Sequence, residues 1–234
     1  MVQSRLTGND TPPVARPLET PRAAGVAGLV FAALFVLSIL LVRKHPAAGS
    51  SVEEIRDFYL GNSGRLAVVG VYLVPFAGIA FLWFIAVIRN LIGEREDRFF
   101  ATVFLGSGLL FVAMLFIAAG VGGAMLAAVK FRDEPVPSPD SVALARSIAF
   151  AFLFVYAVKM AAVFMIVVST IGTRLRIFPR WLVVAGFLAA LVLLLNVSYI
   201  ELLILVFPAW VTAVSLLILR TNRSVSQPEN RSAT

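Results

Sequence analysis

The stretch Ser147 to Ile171, SIAFAFLFVYAVKMAAVFMIVVSTI, is an apolar run of membrane length with one charge, Lys159, near its middle. A helix needs about 20 apolar residues to cross a hydrocarbon core of about 30 Å. A lysine at the centre of such a helix costs about 2.5–3.5 kcal/mol on insertion scales, so it faces protein, a partner or a water-filled cavity rather than lipid. The run asks for a membrane, and Lys159 asks for an interior neighbour.

Composition extends this reading to the whole chain. Of 234 residues, 60% are hydrophobic and 14% charged, and the mean hydropathy is +0.93. Soluble domains carry about 25% charged residues. The expected fold is all-α, a polytopic transmembrane helix bundle. The chain has no cysteine and one histidine, His45, which excludes disulfides, thiolate metal sites, thiol nucleophiles and paired-imidazole haem or zinc. No cofactor and no metal are expected. The net charge of +7 lies mainly in the segments between apolar runs, where it reads as an orientation signal rather than a nucleic-acid surface. The lipid bilayer is the expected partner, with a membrane-protein partner or a homo-oligomer open. Arginine outnumbers lysine 17 to 3, as in the proteins of GC-rich bacteria.

Residues 1–22 hold Pro12, Pro13, Pro17 and Pro21 among polar residues, a composition expected to stay disordered. The first apolar run, 23–42, is longer than the apolar core of a secretory signal, and Arg43, Lys44 and His45 precede the small residues at 47–49. It reads as an uncleaved first helix. Next, Ser50 and Ser51 stand before Glu53 and Glu54 at capping-box spacing, and Val52, Ile55, Phe58 and Tyr59 recur at helical spacing. They predict a short amphipathic helix along the membrane surface, ended by Gly61 and Gly64, that serves as a connector or as a lid or docking element.

The second span, 66–88, contains Pro75, whose missing N–H frees the carbonyl of Val71 and favours a kink. Packing geometry and gating are its two possible uses. The third span, 99–129, would run about 45 Å as a helix, longer than the core. Gly120, Gly122 and Gly123 mark a place for a bend or a close helix contact. Small residues also repeat at four-residue spacing in Ala24 and Gly28, Ala119 and Gly123, and Gly186 and Ala190, a pattern that lets helices approach closely. A stiff acidic connector with Pro135, Pro137 and Pro139 beside Asp133, Glu134 and Asp140 leads to the fourth span, 147–171.

The run from Trp181 to Leu219 is too long for one crossing, at about 58 Å as a helix. It must fold back, and its polar cluster of Asn196, Ser198, Tyr199 and Glu201 places the turn. The fifth span, 181–196, is then short and the sixth, 201–219, carries a second candidate kink at Pro208. Residues 221–234 form a polar tail. The N-tail, second and fourth loops and C-tail together hold twelve Lys and Arg against seven in the first, third and fifth loops. The positive-inside rule then puts both termini in the cytoplasm, with six spans in 23–220 and a multi-pass cell-membrane location.

Lys159 lies about 22 Å above Arg174 along its helix, and Asn196 about 24 Å above Arg180. Glu201 is about 28 Å from Arg220, near the outer end. A Lys159–Glu201 pair, with Asn196, Ser198 or Tyr156 taking leftover hydrogen bonds, is the candidate intramembrane polar site, because buried ions persist when paired or hydrated. It fixes helix register, or it binds an anion or moves a proton; otherwise Lys159 meets a partner subunit or thinned lipid.

No GxSxG, no HExxH and no intramembrane aspartate is present, so catalysis is the least supported class. A transporter built of repeats should break its halves at matching places, but Pro75 and Pro208 fall in spans two and six. A structural or accessory membrane component needs only a packed bundle, and a small-solute or proton-coupled transporter using Lys159 is the alternative. The six-span pattern, with YLVPFAGIAFLWFIAVIR from Tyr72 to Arg89 as its most characteristic passage, resembles the small uncharacterised integral membrane proteins of high-GC bacteria. The resemblance covers residues 23–220 and implies a six-helix inner-membrane bundle; it carries no functional residues.

Overall fold

A computed structural model describes residues 20–42, 50–92, 98–130, 137–176, 178–196 and 201–225. Both tails beyond these bounds, Asp133, Glu134 and Pro135 of the acidic connector, and Ser198 lie outside the described residues.

Every element among the described residues is helical. Helix α1 spans Thr20–Val42 and α2 spans Val52–Gly61; α3, Ser63–Val68, runs through a π-helical segment, Val69–Leu73, into α4, Val74–Ile92. Helix α5 is Arg98–Lys130. Helix α6, Pro139–Phe150, continues through a second π segment, Ala151–Ala157, into α7, Val158–Arg174. Helix α8 is Arg180–Leu195, and a 3₁₀ turn, Glu201–Leu205, opens α9, Val206–Val225. Five helical stretches are long and apolar enough to cross a membrane: Gly25–Val42, Ser63–Asn90, Arg98–Lys130, Pro139–Arg174 and Leu202–Arg220. Helix α8 is apolar but shorter, at 16 residues or about 24 Å.

Local chemistry explains several boundaries. The Ser51 hydroxyl accepts the Glu54 N–H while the Glu54 carboxylate accepts the Ser51 N–H, closing the capping box that starts α2. Burial of Tyr59 on this helix pushes its phenol above the usual value. The fourth apolar stretch begins earlier than hydropathy indicates, because Ser138 caps α6 and a proline suits the first helical turn. In the second stretch the Val74 N–H reaches back to Val69 O, five residues away, and Pro75 follows with no N–H to give. Pro208 lies in the first turn of α9, just after the 3₁₀ segment. Between α7 and α8 the chain turns at Arg176, which adopts the left-handed conformation at φ 53°.

The core is aromatic. Phe31 and Phe35 of α1, Phe81 and Phe84 of α4, Phe104 and Phe111 of α5, Phe164 of α7 and Phe207 of α9 are all buried. Ring centroids lie 4.7 Å apart for Phe31–Phe81, 4.8 Å for Phe111–Phe207, 5.0 Å for Phe104–Phe164 and 5.2 Å for Phe81–Phe164. Lipid supplies no hydrophobic drive between helices, so this contact density and the tilted and edge-on ring pairs, each worth about 0.5–1.5 kcal/mol, carry the association. Around this centre α1 packs on α4 and α9, α5 packs on α4, α6 and α7, and α8 lies against α7 and α9.

Small residues set the closest approaches. A Cβ at Gly28 would strike Ser215 and Phe84, and one at Gly186 would strike Ser169 and Trp210. The glycines at 120, 122 and 123 behave differently. Helix α5 runs unbroken through them, and a Cβ at any of the three would meet nothing. Among the described residues no close contact forms on these three glycines.

Candidate functional site

Lys159 stands one residue into α7, just beyond the second π segment. A π turn adds a residue relative to the α repeat, so the helix beyond it is rotated by about 100° about its axis. The face that Lys159 presents is therefore not the one that a uniform repeat from Ser147 gives. Its ammonium donates to the carbonyl of Leu194 at 2.7 Å and to that of Asn196 at 3.3 Å.

Those two oxygens belong to the end of α8. The last four carbonyls of a helix have no partner within it, and at membrane depth no bulk water replaces one. Asn196 has left the helix at φ −64° and ψ 119°, and its N–H returns to Val192 O at 3.0 Å. The Leu194 carbonyl, in the same last turn, accepts from Lys159. The negative end of the α8 dipole favours a cation at this place. An ammonium without a counter-charge and a helix end short of donors thus relieve one another.

The other residues of the predicted site are placed as follows. Asn196 meets Lys159 through its backbone carbonyl. Tyr156 points away, 54% exposed, with its ring 5.7 Å from that of Phe152. Glu201 opens the 3₁₀ turn, but its side chain, like all of Ser198, lies outside the described residues. Beside the Lys159 contact is a small cavity lined by apolar side chains, among them Phe35, Phe111, Leu153, Leu193 and Phe207. Among the described residues no group of three His, Cys, Asp or Glu side chains is placed to hold a metal ion.

Sequence reasoning missed the carbonyl partners, since a backbone oxygen has no sequence signature. The signal was the length of α8: a helix too short to cross ends where its carbonyls need donors. It also missed a second polar cluster. Ser169 Oγ and Trp210 Nε1 are buried without hydrogen-bond partners against Gly186, and Ser215 Oγ likewise against Gly28. Other buried or half-buried hydroxyls, Ser38, Ser107, Thr170 and Thr212, return their protons to a carbonyl four residues back. Ser169 and Ser215 instead lie on the glycine faces, the arrangement in which Cα–H···O contacts form. Gly28 and Gly186 were legible in the sequence; the hydroxyls facing them were not.

Comparison with protein families, with curated proteins and with solved structures finds no match for this chain.

Proposed function

We propose that the chain is a six-span integral protein of the cell membrane, with both termini in the cytoplasm, that acts as a structural or accessory component, alone or with a membrane-protein partner. In this reading α8 is the fifth span, drawn short, and Lys159 is part of the fold rather than a substrate site. The observation that carries it is the engagement of the Lys159 ammonium by Leu194 O and Asn196 O, which commits two of its three donors to the protein's own backbone. The apolar lining of the adjoining cavity supports the same reading, since it offers a polar solute nothing to bind.

The proton-coupled transporter is the second reading, and one observation favours it. A helix C-terminus at membrane depth is a cation site, and movement of the Lys159 side chain away from it would free two carbonyls for another cation. The native chain has no cysteine, so both parts of the proposal are testable on a clean background. Single cysteines introduced at Asn9, Asp140 and Thr234 are expected to react with an impermeant maleimide from outside whole cells only at Asp140. Labelling of either terminus from outside contradicts the six-span arrangement. In proteoliposomes the structural reading predicts no proton flux above that of empty vesicles under an imposed pH gradient. A flux abolished by Lys159→Met contradicts it and establishes the second reading.

A further inference from the structure

Arg65 lies in α3 at the end of the bundle opposite Arg89, Arg98 and Arg174. The Arg174 guanidinium sits 4.5 Å from the Phe100 ring at that other end. From position 65 to position 89 the helical chain rises about 36 Å, a little more than the hydrocarbon core of about 30 Å. The two arginines therefore stand at the two headgroup levels. Beside Arg65, Lys130 of α5 reaches across to the Ser63 hydroxyl at 3.3 Å, so two cations share this end of the α3–α5 contact.

The guanidinium of Arg65 is not satisfied. Its Nε and Nη2 atoms are both buried and neither has a hydrogen-bond partner. These two N–H groups form one edge of the guanidinium, the edge that receives two oxygens of a carboxylate or phosphate side by side. A charge held this way without a partner is costly. The preceding acidic residues, Glu53, Glu54 and Asp57, belong to α2, and Glu54 is engaged at the Ser51 cap. We propose that Arg65 is an anion site that takes a phosphate group through its Nε–Nη2 edge at the headgroup level. Arg65 as a whole is only half-buried, and binding requires its side chain to turn this edge toward the headgroup layer. Basic pockets between membrane helices at this depth hold lipid phosphates, and a soluble phosphate offers the same oxygens.

The test is the melting temperature of the purified chain in neutral detergent with one of three additions: phosphatidylglycerol, diacylglycerol with the same acyl chains, or inorganic phosphate. Phosphatidylglycerol at a hundredfold excess over its Kd is expected to raise the wild-type melting temperature by about 5 °C, and diacylglycerol is expected not to. The shift disappears in Arg65→Met and shrinks in Arg65→Lys, which keeps the charge but loses the two-donor edge. A comparable shift with inorganic phosphate assigns the site to a soluble anion; a shift with the lipid alone assigns it to a headgroup. The proposal is overturned if diacylglycerol matches phosphatidylglycerol, if no phosphate compound shifts the wild type, or if the shift survives in Arg65→Met. Should Arg65→Met not accumulate, the wild-type comparison of the two lipids and the Arg65→Lys response still decide the question.

Discussion

The aromatic centre and the α8 terminus solve the same problem by opposite means. At the centre, helices with nothing to gain from hiding apolar surface are held by shape: Phe81 alone lies within about 6 Å of the rings of Phe31, Phe84, Phe111, Phe164 and Phe207. At the α8 terminus the requirement is chemical, and a single ammonium meets it through two oxygens. Packing spreads its contribution over many weak contacts, so the centre has redundancy. A cap concentrates it in one group. The centre should therefore respond to volume and hardly at all to charge, and the terminus to charge and hardly at all to volume.

The largest effect is expected at the centre. Phe81→Ala removes a ring in contact with five others and should cost about 3 kcal/mol, the low end for buried phenylalanine, because only the lost packing counts where the unfolded helices already sit in lipid. Thermal melting in detergent checks it. A cost below about 1 kcal/mol would mean that the rings are not what holds the bundle. Gly186→Val, on the face of α8 that meets Ser169 and Trp210, should cost about 1–3 kcal/mol through overpacking. The same melts on Gly123→Ala should show a gain of about 0.5–1 kcal/mol, since the site is open and alanine is the better helix former. Equal responses at 186 and 123 would erase the distinction between packed and bare helix faces. The smallest effect lies outside both regions, on α2. Burial holds Tyr59 neutral and raises its phenol above the ordinary value near 10. Its contribution is present below about pH 10 and is lost as pH rises through the raised value, because the unfolded chain gives up the proton first. Spectrophotometric titration of wild type against Tyr59→Phe isolates that late-ionising phenol.

What the sequence made legible follows the same division. Hydropathy gave the apolar stretches directly, because lipid imposes a length on every crossing. The Ser51–Glu54 cap was legible because its partners are three residues apart and the motif is local. Lys159 was legible as a residue needing a neighbour and Asn196 as one of its site, but the backbone oxygens through which it is met were not. The π segment at Ala151–Ala157 shifts the face that Lys159 presents, and no pattern of apolar residues announces it. The expected side-chain partner, Glu201, has its carboxylate outside the described residues, and the described oxygens that meet the ammonium belong to the backbone. The three glycines of α5 illustrate the converse: a small-residue pattern marks where helices are able to meet, and here none does. Gly28 and Gly186 have the same signature and are in contact. Only the arrangement of helices separates the two cases.

Lys159 as the cap of α8 is the central claim, and the melting temperature of Lys159→Met against wild type in one mild detergent tests it most directly. Removing the ammonium takes its donor from the Leu194 carbonyl at the end of α8, at about 1–3 kcal/mol for a polar group left unsatisfied in an apolar layer. For a chain of 234 residues that corresponds to a fall of about 5 °C. A fall of that size, with Phe81→Leu, which keeps much of the volume, costing less, is the predicted result. An unchanged or higher melting temperature in Lys159→Met would contradict it, for the charge would then be carried at a cost to folding and its reason would lie in proton or cation movement.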